Sequence, residues 1–329
     1  GNICVGALLR QQWSGFDGAP KTGLINIQGP LSSIHSGVGL SVYFDKLGQE
    51  NSTIARVSYS YHFHPGGGNN ILALGVYGGL SSRTLGNKWV AVDPVSEDDA
   101  IPDNGTSASG FDLGAGLYFM TPKLWAGISS TQLPETELKN VSIKNRRHYY
   151  VQGGYDWQLK NPKFSIQPSV LVKSDGTSTQ FDLSALCMYD KMVWLGVSYR
   201  TEDAIAPIIG YQTALGKEKT SMLRLGYSYD VTTSELKNYS SGSHEIMLNY
   251  CFLRSRVRPS GGSTRARRTA SAARRRVRPG FEADPVRPRI SARRGRNSLD
   301  AHEEIPADRV SAIEEHGFGA RREDLPCSL

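Results

Sequence analysis

Residues 52–63 read STIARVSYSYHF, and every second side chain from Ala55 onward is apolar or aromatic. The apolar row continues through Val57, Tyr59, Tyr61 and Phe63, whereas the alternate row is Arg56, Ser58, Ser60 and His62. Successive side chains of a β-strand point to opposite faces, so a period of two is typical of a strand between two different environments. This stretch therefore predicts a strand with one apolar face and one polar face.

The same pattern recurs along the first 252 residues, for example in MVWLGVSYR (192–200), SMLRLGYSYD (221–230) and HEIMLNYCF (244–252). No helical period of comparable length accompanies it, which predicts an all-β fold. About fourteen segments qualify, with the usual uncertainty of two to four residues at each boundary. They lie near residues 3–12, 22–29, 37–44, 53–64, 69–82, 111–121, 123–131, 146–158, 163–173, 178–188, 190–200, 204–214, 218–229 and 241–252.

The composition of the second row favours a transmembrane antiparallel β-barrel over a soluble β-sandwich. A sandwich would fill its outward row with Lys and Glu, but here that row is Gly, Ser, Gln and Tyr with an occasional Arg or Asp. Lipid outside and a polar lumen inside explain both rows. The mean hydropathy of -0.37 is compatible with such a barrel, and no apolar run approaches the roughly 20 residues of a membrane-spanning helix. Aromatic residues near strand ends are expected to form an interfacial belt: Trp125, Trp157, Tyr199 and Tyr229.

The connections alternate in length, as they do in outer-membrane barrels, where periplasmic turns are short and surface loops are long. Long segments such as LPETELKNVSIKN (133–145) and VTTSELKNYSSGS (231–243) follow odd-numbered strands, and short ones such as TPK (121–123) follow even-numbered strands. This pattern predicts that both chain ends are periplasmic. Two local features depart from a regular barrel. GPLSSIHS (29–36) is long for a periplasmic turn, and Pro168 predicts a kink or bulge inside a strand.

The charge distribution divides the chain near residue 253. Residues 1–253 hold 13 Lys, 7 Arg and 21 acidic residues, whereas residues 254–329 hold 18 Arg, no Lys and 10 acidic residues. We therefore expect a barrel over 1–253 and an Arg-rich low-complexity tail over 254–329. The lack of Lys suggests translation of a different reading frame, while a disordered extension and a nucleic-acid-binding arm are the alternatives.

No constellation of catalytic or metal-binding residues stands out, so we expect neither enzymatic activity nor a cofactor. Cys4, Cys187, Cys251 and Cys327 lack paired spacing, and unpaired thiols are favoured over a disulfide. His62 and His64 share a strand face but have no third ligand nearby, which favours a solvated turn over a metal site. The acidic loop that contains Asp93, Glu97, Asp98, Asp99 and Asp103 matches no EF-hand spacing.

Three stretches together resemble the PorP/SprF family of type IX secretion system membrane proteins from Bacteroidetes: RQQWSGFDGAPKTG (10–23), GVGLSVYFDKLGQ (37–49) and GSHEIMLNYCF (242–252). The first is the most specific, and the third lies where the family has its last strand. In that family a signal peptide and a short segment precede the tryptophan motif, so the resemblance implies a truncated start. It also implies that the motif residues Arg10, Gln11, Trp13, Phe16, Gly18, Ala19, Pro20 and Lys21 are the candidate partner-binding site.

The resemblance implies an outer-membrane component of type IX secretion or gliding. Its expected partners are the periplasmic ring and motor proteins or the C-terminal domain of a secreted adhesin, with outer-membrane lipid around the barrel and no nucleic acid. A porin or FadL-like transporter of small molecules is the alternative. Within the motif, Pro20 and three glycines are expected to form a compact loop that packs Trp13 and Phe16 against the barrel wall, with Arg10 and Lys21 beside this apolar surface. Whether the loop is structural or contacts a partner stays open.

Overall fold

The computed structural model describes residues 2–15, 17–67, 69–86, 106–138, 143–216 and 221–252. The five acidic residues of the predicted acidic loop and the whole predicted Arg-rich tail therefore lie outside the described residues, as does Phe16. No helix in the described ranges has the length and hydrophobicity needed to cross a membrane.

Fourteen antiparallel strands form a closed barrel, which confirms the predicted fold. The strands are β1 (Ile3–Gln11), β2 (Lys21–Leu31), β3 (Ser36–Leu47), β4 (Glu50–Phe63), β5 (Ile71–Leu85), β6 (Thr106–Met120), β7 (Leu124–Thr131), β8 (His148–Tyr155), β9 (Phe164–Ser174), β10 (Thr179–Tyr189), β11 (Val193–Arg200), β12 (Ala204–Leu215), β13 (Ser221–Thr232) and β14 (Ser243–Phe252). Each strand pairs with the next along the chain, and β14 pairs with β1 to close the cylinder.

The two predicted rows face opposite sides of the barrel wall. In β4, Val57, Tyr59 and Phe63 are exposed on the outside, whereas Ser52 and Ser60 are buried on the inside. Because closure gives each of the fourteen strands a neighbouring strand on both sides, the cylinder has no free edge strand. The apolar outer row can therefore lie in lipid, and the polar inner row lines the lumen.

The connection between β2 and β3 is shorter than the sequence suggested. Both strands extend into GPLSSIHS, and Leu31 pairs with Ser36. Only residues 32–35 remain as a connection, formed by one 3-10 turn and by His35 with φ of 52°. The expectation of an unusually long turn was wrong because neither proline nor glycine prevents pairing at the end of a strand ladder.

Pro168 interrupts hydrogen bonding on one side of β9 only. Its pairing with β10 is continuous, including Pro168 opposite Ala185. On the other side, the ladder with β8 stops at Gly154, and pairing resumes with the short strand Trp157–Gln158 in the same register. The predicted local defect is therefore a gap in one ladder and not a bulge, as expected for a residue that lacks a backbone N–H donor.

Cys4 and Cys251 form a disulfide, so the expectation of unpaired thiols was wrong for these two residues. They face each other across the β1–β14 pairing although 247 positions separate them in the chain. The spacing of cysteines in the sequence could not reveal a partnership that depends on barrel closure. Cys187 is a free, exposed thiol, and Cys327 lies outside the described residues.

Aromatic side chains of the inner row lie over glycines on the neighbouring strand. A Cβ built on Gly210 would lie 2.0 Å from Cε2 of Trp194, and one on Gly114 would lie 2.1 Å from Cε1 of Tyr77. Trp125 covers Gly154 in the same way. Trp125 therefore belongs to the inner row and not to the predicted interfacial belt. These pairs fill the inner wall with large rings where the opposite residue has no side chain.

Candidate functional site

The motif loop, residues 12–20, connects β1 to β2 at the end of the barrel opposite to the start of β1 and the end of β14. The strand ends that flank residues 86–105, 132–147 and 233–242 lie at this same end. We call this end the loop rim. Because long loops of outer-membrane barrels face the outside of the cell, we expect the loop rim to be extracellular, and the start of β1 and the end of β14 to be periplasmic.

The first part of the motif loop, residues 12–14, is attached to the barrel wall, and we call it the buried half of the loop. Trp13 is only 6% exposed, and its backbone adopts φ of 44°, which is rare for a bulky residue. Its N–H donates to Oγ of Ser243 at 3.1 Å. The N–H of Ser14 donates to the carbonyl of Gly242 at 2.8 Å, and the N–H of Ser241 donates to the carbonyl of Ser14 at 2.6 Å. These bonds attach the loop to the start of β14 and hold Trp13 in its unusual conformation.

The second half of the loop folds back toward β1 and contacts the β3–β4 turn. Gln12 donates its backbone N–H to the carbonyl of Pro20 at 2.9 Å, and Gly48 donates to the carbonyl of Gly18 at 3.0 Å. Gly18 has φ of 81°, and a Cβ on it would lie 3.3 Å from Cα of Gly48. Glycine at position 18 therefore permits both the turn and the close contact of the two loops.

The predicted site residues divide into buried and exposed groups. Arg10, Trp13, Ala19 and Pro20 are buried. An exposed edge, formed by Gln11, Gly15, Asp17, Gly18 and Lys21, faces the solvent at the loop rim. The exposed edge is the part of the motif that another molecule can reach. Tyr239, on the neighbouring 233–242 connection, is 76% exposed, and its carbonyl lies 3.9 Å from a Cβ built on Gly15.

Arg10 points into the lumen and pairs with two buried carboxylates, so it does not lie beside an apolar surface as expected. Its guanidinium donates to Oδ2 of Asp230 at 2.6 Å and to Oε2 of Glu245 at 3.0 Å. Asp230 also accepts a bond from Arg200 at 3.3 Å. Asp230 therefore links two arginines, from β1 and β11, on the inner wall.

The network continues along the wall from Arg200. This arginine contacts Asp203 at 3.1 Å and Asp182 at 3.4 Å, and Lys173 contacts the same Oδ2 of Asp182 at 3.3 Å. All the network side chains except that of Asp203 are at least nine-tenths buried. Because an isolated buried charge is costly, such groups are stable in the wall only when they are paired.

A second network lies on the opposite part of the wall. Arg56 donates to Oδ2 of Asp112 at 2.6 Å and lies 5.0 Å and 4.7 Å from the ring centroids of Tyr43 and Tyr77. The hydroxyl of Tyr77 donates to Oδ1 of Asp112 at 3.0 Å and accepts the N–H of Gln132 at 3.4 Å. This network connects the barrel wall to the 132–147 connection at the loop rim.

Sequence reasoning found the motif but missed both luminal networks. The available signal was the charge in the polar rows, because Arg56, Asp112, Arg200 and Asp230 alternate with apolar residues that face lipid. Charges inside a barrel wall need partners, but the partners come from strands that are far apart in the sequence. In the described parts of the chain, no three His, Cys, Asp or Glu side chains form a group suited to a metal ion. His62 instead shares a hydrogen bond of 2.9 Å with Ser60.

The apolar exterior, the polar and paired inner wall and the closed fourteen-strand ladder together define an outer-membrane β-barrel protein. The chain belongs to the family described as "Type IX secretion system membrane protein PorP/SprF", whose model matches residues 1–250. It is therefore an outer-membrane component of type IX secretion, as the motif predicted.

Several solved barrels are similar in overall fold. Omp33 of Acinetobacter baumannii is 12% identical with a TM-score of 0.40, over 77% of this chain and 97% of Omp33. The toluene transporter TbuX of Ralstonia pickettii is 10% identical with a TM-score of 0.45, over 77% of this chain and 88% of TbuX. The KdgM porin is 11% identical with a TM-score of 0.35, over 76% of this chain and 98% of KdgM. No significant match was found among curated proteins.

Proposed function

We propose that this barrel holds secreted surface proteins at the outer face of the cell through the exposed edge of the motif loop. The observation that carries the proposal is the position of the motif at the loop rim, opposite to the start of β1 and the end of β14. A site for periplasmic motor components would instead be expected among the turns at the other end, such as 121–123 and 159–163. The family motif is therefore better placed for a partner outside the cell than for one in the periplasm.

The chemistry of the loop rim near the motif suits protein recognition. Asp17 and Lys21 offer opposite charges at the exposed edge, and Tyr239 offers an exposed aromatic ring on the adjacent connection. Tyrosine is enriched among residues that dominate binding energy at protein interfaces. The buried half of the motif loop fixes the backbone of this edge. Binding therefore costs little conformational entropy there.

Capture of partners from detergent-solubilised envelopes tests the proposal. We expect Tyr239→Ala and Lys21→Glu to reduce recovery of a secreted protein's C-terminal domain while the barrel stays folded. Lys123→Glu, in an exposed turn at the opposite end, is the matched control and should leave that recovery unchanged. The periplasmic role would be favoured by a different result: Lys123→Glu reduces the recovery of motor components, and both rim variants capture the secreted domain normally.

A porin or FadL-like transporter is the second candidate, and the charged inner wall favours it. Lumen charges tune ion selectivity in outer-membrane barrels. Conductance of the purified barrel in planar bilayers separates the two roles. A steady conductance whose ion selectivity changes in Arg56→Gln would support transport. Barrels that do not conduct but still capture a secreted domain would support anchoring.

A further inference from the structure

The pairing of β1 with β14, which we call the seam, differs from the other strand pairings of the barrel. Every other pair of neighbouring barrel strands is consecutive in the chain. The seam joins strands at the two ends of the described chain, and the disulfide across it spans 247 positions. The entropic cost of bringing chain segments together rises with their separation. The seam is therefore the pairing that local connections support least.

A covalent bond crosses the periplasmic end of the seam. Cys4 lies near the start of β1 and Cys251 near the end of β14, and the two residues are direct partners in the ladder. Both side chains are buried on the inner row. The disulfide thus joins β1 and β14, which no turn of the chain connects to each other.

Hydrogen bonds and an ion pair cross the opposite end of the same seam. Arg10 and Glu245 are direct ladder partners, and their side chains pair at 3.0 Å. Beyond them, Trp13 and Ser14 are bonded to Ser243 and Gly242. The buried half of the motif loop therefore spans the seam at the loop rim, so the two strands are joined at both ends.

We propose that the seam is a permanently closed junction in the working protein and not an opening in the barrel wall. The Cys4–Cys251 disulfide is its covalent element, and the buried half of the motif loop is its second element. A protein held by this barrel would then contact the loop rim or the lumen and would not pass sideways between β1 and β14. Closure of the seam does not depend on which partner the loop rim holds.

Formation of the disulfide is an oxidation, so it connects barrel closure to thiol oxidation in the envelope. The two thiols lose two protons and two electrons as the S–S bond forms. A protein disulfide of the periplasm accepts the electrons and protons and becomes a dithiol. Because Cys4 and Cys251 become neighbours only when β1 pairs with β14, we expect the bond to form at or after closure of the seam.

Gel migration of the boiled protein tests whether the covalent element exists in cells. Cells are treated with N-ethylmaleimide to block free thiols, and the full-length protein is boiled and separated without reductant. The disulfide closes a loop of almost the whole barrel domain, so the oxidised chain should migrate faster than the reduced chain. We expect one faster band, lost in Cys4→Ser and in Cys251→Ser and retained in the controls Cys187→Ser and Cys327→Ser. Two maleimide-labelled thiols at positions 4 and 251 would overturn the proposal.

Secretion by cells whose barrel carries the Cys4–Cys251 disulfide tests whether the junction stays closed. We expect cells whose barrel is entirely in the faster-migrating form to deliver surface proteins at the normal rate. The Cys4→Ser, Cys251→Ser double variant should unfold at a lower guanidinium concentration than Cys187→Ser, with no gain in delivery. If delivery rises several-fold when the disulfide is removed, or requires its reduction, then the seam opens during function and the proposal is wrong. The gel result on the natural sequence stands even if the double variant does not assemble.

Discussion

At the scale of single residues, the inner wall depends on glycines that face large rings. Gly210 is the direct ladder partner of Trp194, whose ring occupies the space that a side chain at position 210 would need. Trp194 is itself part of a buried cluster with Leu186, Ile208 and Met247, so its ring has little room to move. The requirement for glycine here arises from packing across strands and not from the conformation of the backbone.

We expect Gly210→Ala to destabilise the barrel by about 1–3 kcal/mol, because overpacking of a filled interior has costs of this size. Guanidinium unfolding of the folded barrel in detergent measures the effect. The matched control is Gly78→Ala in β5, where the nearest atom to a new Cβ is Cδ2 of Leu113 at 3.5 Å, an ordinary contact. Equal unfolding midpoints for the two variants would show that Trp194 does not restrict position 210.

Arg10 is the motif residue with the clearest energetic role. Replacing it with Met removes a cation from the buried carboxylates of Asp230 and Glu245, and we expect a loss of about 3–5 kcal/mol. The same change at Lys144, whose pair with Glu135 is largely exposed, should cost about 0–1 kcal/mol. Both values follow from unfolding curves. Adding Glu245→Gln to Arg10→Met should recover part of the loss, and failure to do so would contradict a purely electrostatic role.

The role of each motif residue could not be predicted from the sequence. The glycines and proline of the motif indicated a compact loop, and Trp13 is indeed buried. Arg10 looked like a surface charge because its partners, Asp230 and Glu245, are more than 200 positions away in the chain. The alternation of β1 did contain the information, since Arg10 shares its row with Cys4 and Leu8, which face inward.

At the scale of strands, the sequence was sufficient to predict the number and the order of the strands. It predicted the ends of the strands less accurately. Lipid on one side and a crowded lumen on the other impose a period of two along each strand, and this pattern is readable without any neighbour. Strand ends depend on whether a partner is available. β2 and β3 therefore run through Pro30 and Gly37, which pair with each other, although these residue types usually mark turns.

Residues 132–138, at the start of the 132–147 connection, cover part of β6 at the loop rim. β6 extends beyond the end of β7, and the backbone N–H of Leu133 donates to the carbonyl of Leu113 at 3.0 Å, while Oγ1 of Thr136 donates to Phe111 at 2.9 Å. Leu138 is only 1% exposed, and its Cδ2 lies 2.9 Å from a Cβ built on Gly110. Leu138 therefore attaches this connection to the extended part of β6.

We expect Leu138→Ser to detach the connection without unfolding the barrel, because the strand ladder below it does not use this side chain. Limited proteolysis of intact cells should then cut within 132–147 several times faster than in the natural protein. Lys144→Ser is the control, since the Lys144 side chain is largely exposed and contributes no comparable packing. Unchanged protease resistance in Leu138→Ser would mean that the hydrogen bonds of Leu133 and Thr136 suffice to hold the connection.

At the scale of the whole molecule, closure is the property that local sequence patterns describe least. Fourteen alternating segments indicated a barrel, but the register of β1 against β14 decides which residues meet at the seam. A shift of one residue would place Cys4 opposite a lipid-facing residue and would separate Arg10 from Glu245. The disulfide and the ion pair are thus consequences of the three-dimensional register, which explains why the sequence favoured unpaired cysteines.

Lipid, and not water, covers the outer row of the barrel. Val57 lies in the middle of β4 and is 62% exposed, so a protein with this surface in water would accept Arg there at little cost. In a bilayer, an arginine on the lipid face near the midplane costs about 2–4 kcal/mol. We therefore expect Val57→Arg to reduce the fraction of heat-modifiable, folded barrel in outer membranes. Tyr239→Arg, at a more exposed position on the loop rim, should assemble normally. Normal assembly of both variants would mean that the outer row faces water.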